Sequence, residues 1–251
     1  MTKTKTRGRV RVEQGTKRVR IYLAGELVAD TVRPKYVCEK PYYPVYYIPI
    51  ADVKVDSLIP TGEVAHSPSR GDAVVHDVKV NKATAAGAAR VYMAGPIDEL
   101  ADTVAFKFSA FDWFEEDEQI YVHPRDPYTR IDILQSSRHV EVFMEGTKVA
   151  DTHQPRLLFE TGLPTRYYIP ATDVRIDLLN HSELTTECPY KGTAHYYNAT
   201  IEGRTIDNHI WWYPAPVAES QKIAGYLAFY NEKVDIVVDG IEQERPRTLF
   251  S

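Results

Sequence analysis

The sequence predicts a mainly β chain, built as two tandem homologous antiparallel β domains with few and short helices. Three observations carry that prediction. The first is an internal repeat, the feature to seek first in any chain. Sliding the chain by 121 residues places Arg9-Val10-Arg11-Val12 on Arg130-Ile131-Asp132-Ile133, and the register runs without a gap to Val80 over Ile201. Gly25 meets Gly146, Val28-Ala29-Asp30-Thr31 meets Val149-Ala150-Asp151-Thr152, and Tyr46-Tyr47-Ile48-Pro49 meets Tyr167-Tyr168-Ile169-Pro170. Glu39 meets Glu160, Asp52 and Asp56 meet Asp173 and Asp177, and Pro68 and Gly71 meet Pro189 and Gly192. Chance does not hold one register this long.

The second observation is short apolar alternation. VRIYLAGELVADT and VEVFMEGTKVADT each hold two short apolar-alternating runs around Ala-Gly or Glu-Gly, a hairpin signal. TRYYIPATDVRIDLL reads as a strand, a proline-marked turn and a further strand or 3₁₀ piece, and Thr193–Ile201, Arg204–Trp212 and Val234–Val238 continue the β pattern. The third observation is the shortness of the helix candidates, Ile97–Asp102 and Val217–Ile223, each after a proline. Beyond the gapless segment, Phe108-Ser109-Ala110-Phe111 against Tyr226-Leu227-Ala228-Phe229 offers a second anchor at a slightly different offset. The expected repeats are 1–128 and 129–251, joined by the stiff His123–Pro127 junction. Packing of the copies about a pseudo-two-fold axis, in a monomer or a homodimer, is the assembly this duplication suggests.

The 251 residues and 43% hydrophobic content allow a sizeable core in each repeat. A net charge of −5 argues against a nucleic-acid partner. Lys3, Lys5, Arg7, Arg9, Arg11, Lys17, Arg18 and Arg20 make the start basic, but several alternate with valines, as on the solvated face of edge strands. No run reaches membrane-spanning length, so no membrane partner is expected. The two cysteines, Cys38 and Cys188, make no disulfide framework, and the start lacks the apolar core of a signal peptide. A cytoplasmic location is the expectation.

The second repeat carries the chemistry. It contains Thr186-Glu187-Cys188-Pro189-Tyr190-Lys191-Gly192, then Trp211-Trp212-Tyr213-Pro214, then Ile223-Ala224-Gly225-Tyr226-Leu227-Ala228-Phe229-Tyr230. These CPYKG, WWYP and IAGYLAFY motifs, after RYYIPATDVRIDLL, resemble the domain of unknown function 427 family, which bears an inherited nucleotidyltransferase-like label. The resemblance covers nearly all of the second repeat and, more weakly, the first. It implies the fold family and no established reaction. The residues themselves show no glycine-rich phosphate loop and no carboxylate pair set for two metals beside a nucleotide, so the label is not adopted as mechanism.

Cys188, Tyr190, Lys191 and His195 are the catalytic candidates. A thiolate is favoured by a nearby cation, and Lys191 and His195 are close in sequence. The competing expectation for Cys188 is a buried apolar thiol, and for Lys191 a solvated turn lysine. Cys38 falls on Phe159, which marks a core position. Tyr168, Trp211, Trp212, Tyr213 and Tyr226, with Arg166 at the head of the RYYIP strand, are the ligand-binding candidates, since small-molecule sites combine aromatic walls with few polar groups. Trp211 and Trp212 point to opposite faces if they lie in a strand, so at most one faces a given pocket. His181, Cys188, His195 and His209 match no zinc signature, and no metal or cofactor is expected. Asp173 and Asp177, repeated as Asp52 and Asp56, fit turn caps better than acid–base work.

In the first repeat Cys188 becomes Ser67, Tyr190 becomes Ser69, Lys191 becomes Arg70 and His195 becomes Val74, and no Trp pair lies near Arg90–Pro96. The turn persists while its chemistry changes. The expected function is an enzyme acting on a small organic or phosphorylated molecule in a pocket of the second repeat. The alternatives are a non-catalytic small-molecule-binding module and a structural or interaction protein.

Overall fold

A computed structural model describes residues 10–40, 43–248 and 251. Lys3, Lys5, Arg7 and Arg9 of the basic start lie outside these residues. The chain divides into two compact units, Met1–Asp126 and Pro127–Ser251. Each holds a seven-stranded and a four-stranded antiparallel sheet, and every helical segment among the described residues is a short 3₁₀ turn. None of these helices is long and apolar enough to cross a membrane.

In the second unit the large sheet runs Ile131–Gln135, Arg156–Glu160, Arg166–Pro170, Tyr226–Phe229, Arg204–Trp212, Gly192–Ile201 and Leu179–Cys188. The small sheet is Thr147–Thr152, Val140–Met144, Asp235–Val238 and Ile241–Glu242. Its first hairpin is the one predicted: Glu145 and Gly146 both take positive φ (47° and 78°), as do Ala24 and Gly25 (50° and 80°) in the first unit. Two consecutive positive φ values make the tight turn whose twist matches its flanking strands.

Alternation along each strand divides the core. Val140, Val142, Val149 and Ile236 of the small sheet pack with Ile169, Ala199, Ile210, Leu227 and Phe229 of the large one. The alternate residues of the large sheet, among them Leu158, Tyr168, Ala194, Tyr196, Trp211 and Ala228, form a separate cluster on its outer face, under Ile223. Burying the aromatic side chains of this outer face supplies a large share of the apolar stabilisation, since each covers roughly 150–250 Å². Asp173 anchors the turn after the RYYIP strand by accepting a hydrogen bond from Thr152 (2.6 Å), as Asp52 does from Thr31 (2.7 Å). Asp177 pairs with Arg175 (2.6 Å).

Strand pairing corrects the second anchor of the repeat. Tyr47, Ile48 and Pro49 pair with Ala105, Val104 and Thr103, and Tyr168, Ile169 and Pro170 pair with Ala228, Leu227 and Tyr226. The counterpart of Tyr226–Phe229 is therefore Thr103–Phe106, while Phe108–Ala110 forms a 3₁₀ turn. Likeness of aromatic residues misaligned the copies by five positions; the backbone ladder decides. Between Tyr92 and Leu100 the first unit is two residues shorter than between Tyr213 and Ile223, and its 3₁₀ turn shrinks from Ala218–Ile223 to Asp98–Leu100.

A second correction concerns Cys38. Its counterpart Phe159 is 40% exposed and marks no core position. Both lie on strands that pair directly with the edge strand of their sheet, near the margin of the core. Cys38 is half-buried and its sulfur accepts a hydrogen bond from Arg11 (3.2 Å).

Candidate functional site

The outer face of the large sheet in the second unit carries one transverse row. Tyr168 pairs with Ala228, Ala228 with Trp211, and Trp211 with Tyr196, across four adjacent strands. The small Ala228 leaves room for the Trp211 indole to reach over it, and Nε1–H donates to the Tyr168 hydroxyl (3.2 Å). Residues two along on the same strands share the face. They are Tyr213 beyond Trp211, Tyr230 beyond Ala228 and Tyr226 before it. The Tyr230 ring lies 4.5 Å from that of Trp211, and its hydroxyl pairs with that of Tyr196 (3.2 Å), which also meets the Thr186 hydroxyl (2.9 Å). Burial pushes the hydroxyls of Tyr168, Tyr213 and Tyr230 above the ordinary phenol range, so all three are protonated at neutral pH.

The CPYKG turn closes one end of this row. Lys191 N–H donates to the Cys188 carbonyl (3.3 Å), and Gly192 takes a φ of 94°, in the left-handed region that favours glycine. Cys188 is two residues past Thr186, on the face of Thr186 and Tyr196, and it is half-buried. Lys191 is buried. Its Nζ donates to Glu160 Oε2 at 2.5 Å, and the two side chains are only 11% and 8% exposed. This settles against a solvated turn lysine. The Tyr190 carbonyl accepts from Ser220 Oγ (3.0 Å), tying the turn to the 3₁₀ segment, and the Lys191 carbonyl accepts from Val217 N–H (3.2 Å).

At the other end lies a second buried ion pair. Arg166 makes a two-pronged bond to Glu232 (2.7 and 2.8 Å) and donates to Asn231 Oδ1 (3.1 Å). Its guanidinium lies 5.6 Å from the centre of the Trp211 ring and 5.9 Å from that of Tyr230. Burial alone would raise the Glu232 carboxyl, but hydrogen bonds from Arg166 and Thr248 hold it below the ordinary range.

The structure thus brings together Cys188, Lys191, Tyr168, Trp211, Tyr213 and Tyr226, with the Tyr190 backbone and with Arg166 at the other end of the aromatic row. It does not bring in His195 or Trp212. His195 alternates with Ala194 and Tyr196, so it faces the other side of the sheet, where its ring meets that of Trp212 (6.0 Å). Trp212 packs against the core between the sheets. Seven positions along the chain suggested that His195 could assist Cys188; strand periodicity places it on the opposite face. Arg166, a ligand-binding candidate, is bound to Glu232. Glu160, Tyr196 and Glu232 belong to the site and were not singled out. Glu160 had a signal: an acid kept in both copies, opposite a cation kept in both copies.

The first unit keeps the frame with other side chains. Arg70 donates to the Tyr47 hydroxyl (2.8 Å) and pairs with Glu39 (3.0 Å), and Ser67 stands for Cys188. Its transverse row reads Tyr47, Ala105, Arg90 and Val75.

A sequence model of the family described as Domain of unknown function (DUF427) matches residues 11–117 and again residues 132–240. No curated protein matches the chain.

Proposed function

Since this chain belongs to the domain of unknown function 427 family, as two tandem copies, and the family description assigns no reaction, we propose from the geometry that the second repeat is a small-molecule-binding module. Its ligand is a small organic molecule with a flat apolar part, seated on the outer face of the large sheet. The observation that supports this is the aromatic row Tyr168–Trp211–Tyr196, itself buried, with half-buried Cys188, Tyr226 and Tyr230 on the same face and half-buried Tyr190 in the turn at its end. A dry aromatic floor with a few polar groups at its rim is how ligand sites are built. Lys191 and Arg166 are each matched by a carboxylate, which favours an uncharged ligand over a phosphorylated one. A thermal-shift screen of metabolites on the full chain tests the reading. Hits should raise the melting temperature, and Tyr190→Ala or Tyr230→Ala should abolish the shift; a screen whose hits ignore both substitutions overturns it.

A second reading is covalent catalysis at Cys188, which its partial exposure beside protonated phenols favours. The facing of His195 leaves it without that imidazole as a base, so binding ranks first. Loss of turnover in Cys188→Ser with ligand binding retained would establish the second reading.

A further inference from the structure

Away from that site, the outer face of the small sheet in the second unit carries His139, Glu141 and Asp151. Glu141 and Asp151 are direct cross-strand partners, and His139 precedes Glu141 by two residues, so all three share a face. One ligating atom from each falls within 4.8 Å of the others, and His139 Nε2 lies 2.8 Å from Asp151 Oδ1. The imidazole is held in place. Its backbone N–H donates to Asp239 Oδ1 (3.0 Å), its carbonyl accepts from Asp239 N–H (2.8 Å), and the His153 ring stacks on it at 4.1 Å.

A cation already sits on both carboxylates. Lys148 Nζ donates to Glu141 Oε1 (3.0 Å) and to Asp151 Oδ2 (2.6 Å). The first repeat solves the same problem differently. There Arg18 replaces His139, Arg20 replaces Glu141, and Arg18 binds both oxygens of Asp30 (2.8 and 2.5 Å). The second repeat has thus exchanged two permanent cations for an imidazole and a carboxylate. It leaves neutralisation to a lysine whose side chain is 45% exposed.

We propose that His139, Glu141 and Asp151 form a facial one-histidine, two-carboxylate site for a divalent transition-metal ion of the zinc class, which displaces the Lys148 ammonium. A residue just before a strand, the residue two further along it and a cross-strand neighbour present three donors to one point above a sheet. One nitrogen and two oxygens suit zinc or cobalt better than magnesium or calcium, which take oxygen ligands. Three protein ligands leave a coordination position for water.

The test is isothermal titration of the untagged full chain with zinc chloride, paired with visible absorption on titration with cobalt(II). The expected result is one zinc ion per chain, a cobalt d–d band and no competition from millimolar magnesium. His139→Ala and Asp151→Asn should each weaken zinc binding at least about tenfold, a scale reached even by residues behind the ligands. Lys148→Met should tighten it severalfold, a gain that no unfolded variant can imitate. Zinc affinity unchanged in His139→Ala, equal competition by magnesium, or weaker binding in Lys148→Met overturns the proposal.

Discussion

The two repeats hold the same turn over the same sheet, yet one is wet and the other dry. In the first, Arg70 divides its bonds among Ser67, Tyr47 and Glu39, and Glu39 is 40% exposed. In the second, Lys191 gives its charge to Glu160, and both are buried. The difference originates two strands away. Where the first repeat has Arg90, Lys107 and Val45 on this face, the second has Trp211, Tyr230 and Arg166, the last neutralised by Glu232. Large rings exclude water, and excluded water makes a paired charge obligatory, because a lone buried ion is far costlier than an exposed one. A retained frame therefore carries two different electrostatic environments, decided by the residues of the transverse row.

The largest effect that would break this comparison lies at the carboxylates. Glu160→Ala should cost roughly 3–5 kcal/mol, since it strands a buried lysine. Glu39→Ala should cost about 1 kcal/mol or less, since Glu39 is 40% exposed and Arg70 keeps Ser67 and Tyr47 as partners. Urea unfolding of the full chain measures both, and equal losses would refute the wet–dry distinction. Next come the row residues: Trp211→Ala should destabilise by about 3–5 kcal/mol, whereas Arg90→Ala should stay within about 0.5 kcal/mol.

The pH dependence sharpens the contrast. The Glu232 carboxyl is held below its ordinary value, so its stabilising contribution is complete above the ordinary glutamate pKa and is lost as pH falls through the lowered one. The first repeat has Ser109 at this position. Glu232→Gln should therefore lower stability at neutral pH and flatten the acid limb of a stability–pH curve, an effect that Ser109→Ala should not reproduce. The smallest effect is a null difference. Thr31→Val and Thr152→Val each remove one hydroxyl–carboxylate bond of nearly equal length and should cost about the same, roughly 1–2 kcal/mol. A clear inequality between them would mean that the shared frame is less alike than its bonds indicate.

Much of this was legible in the sequence. The hairpins at Ala24-Gly25 and Glu145-Gly146 were readable because a two-residue turn has its own local chemistry. The 3₁₀ turns after Pro49 and Pro170 announced themselves through proline and a following aspartate. The opposite facing of Trp211 and Trp212 follows from strand alternation alone. Other features could not be read. Phe108–Phe111 looked like the partner of Tyr226–Phe229 because side-chain likeness carries no hydrogen-bond register. His195 looked close to Cys188 because distance along the chain says nothing about faces until the strand is known. The link from Arg166 to Glu232 joins residues far apart in sequence, with no local pattern to reveal it.

What the sequence determined by itself was the duplication, the β class and the short-range turns, all of which depend on neighbours within a few residues or on a repeated register. What only the tertiary structure decided was which charges are matched. Whether Lys191 meets water or Glu160, and whether Arg166 meets water or Glu232, depends on what the sheet pairing places beside them and on how much water the Trp211–Tyr230 pair leaves there. Charge pairing in a dry site is a property of distance and dielectric, and neither is written in the order of residues.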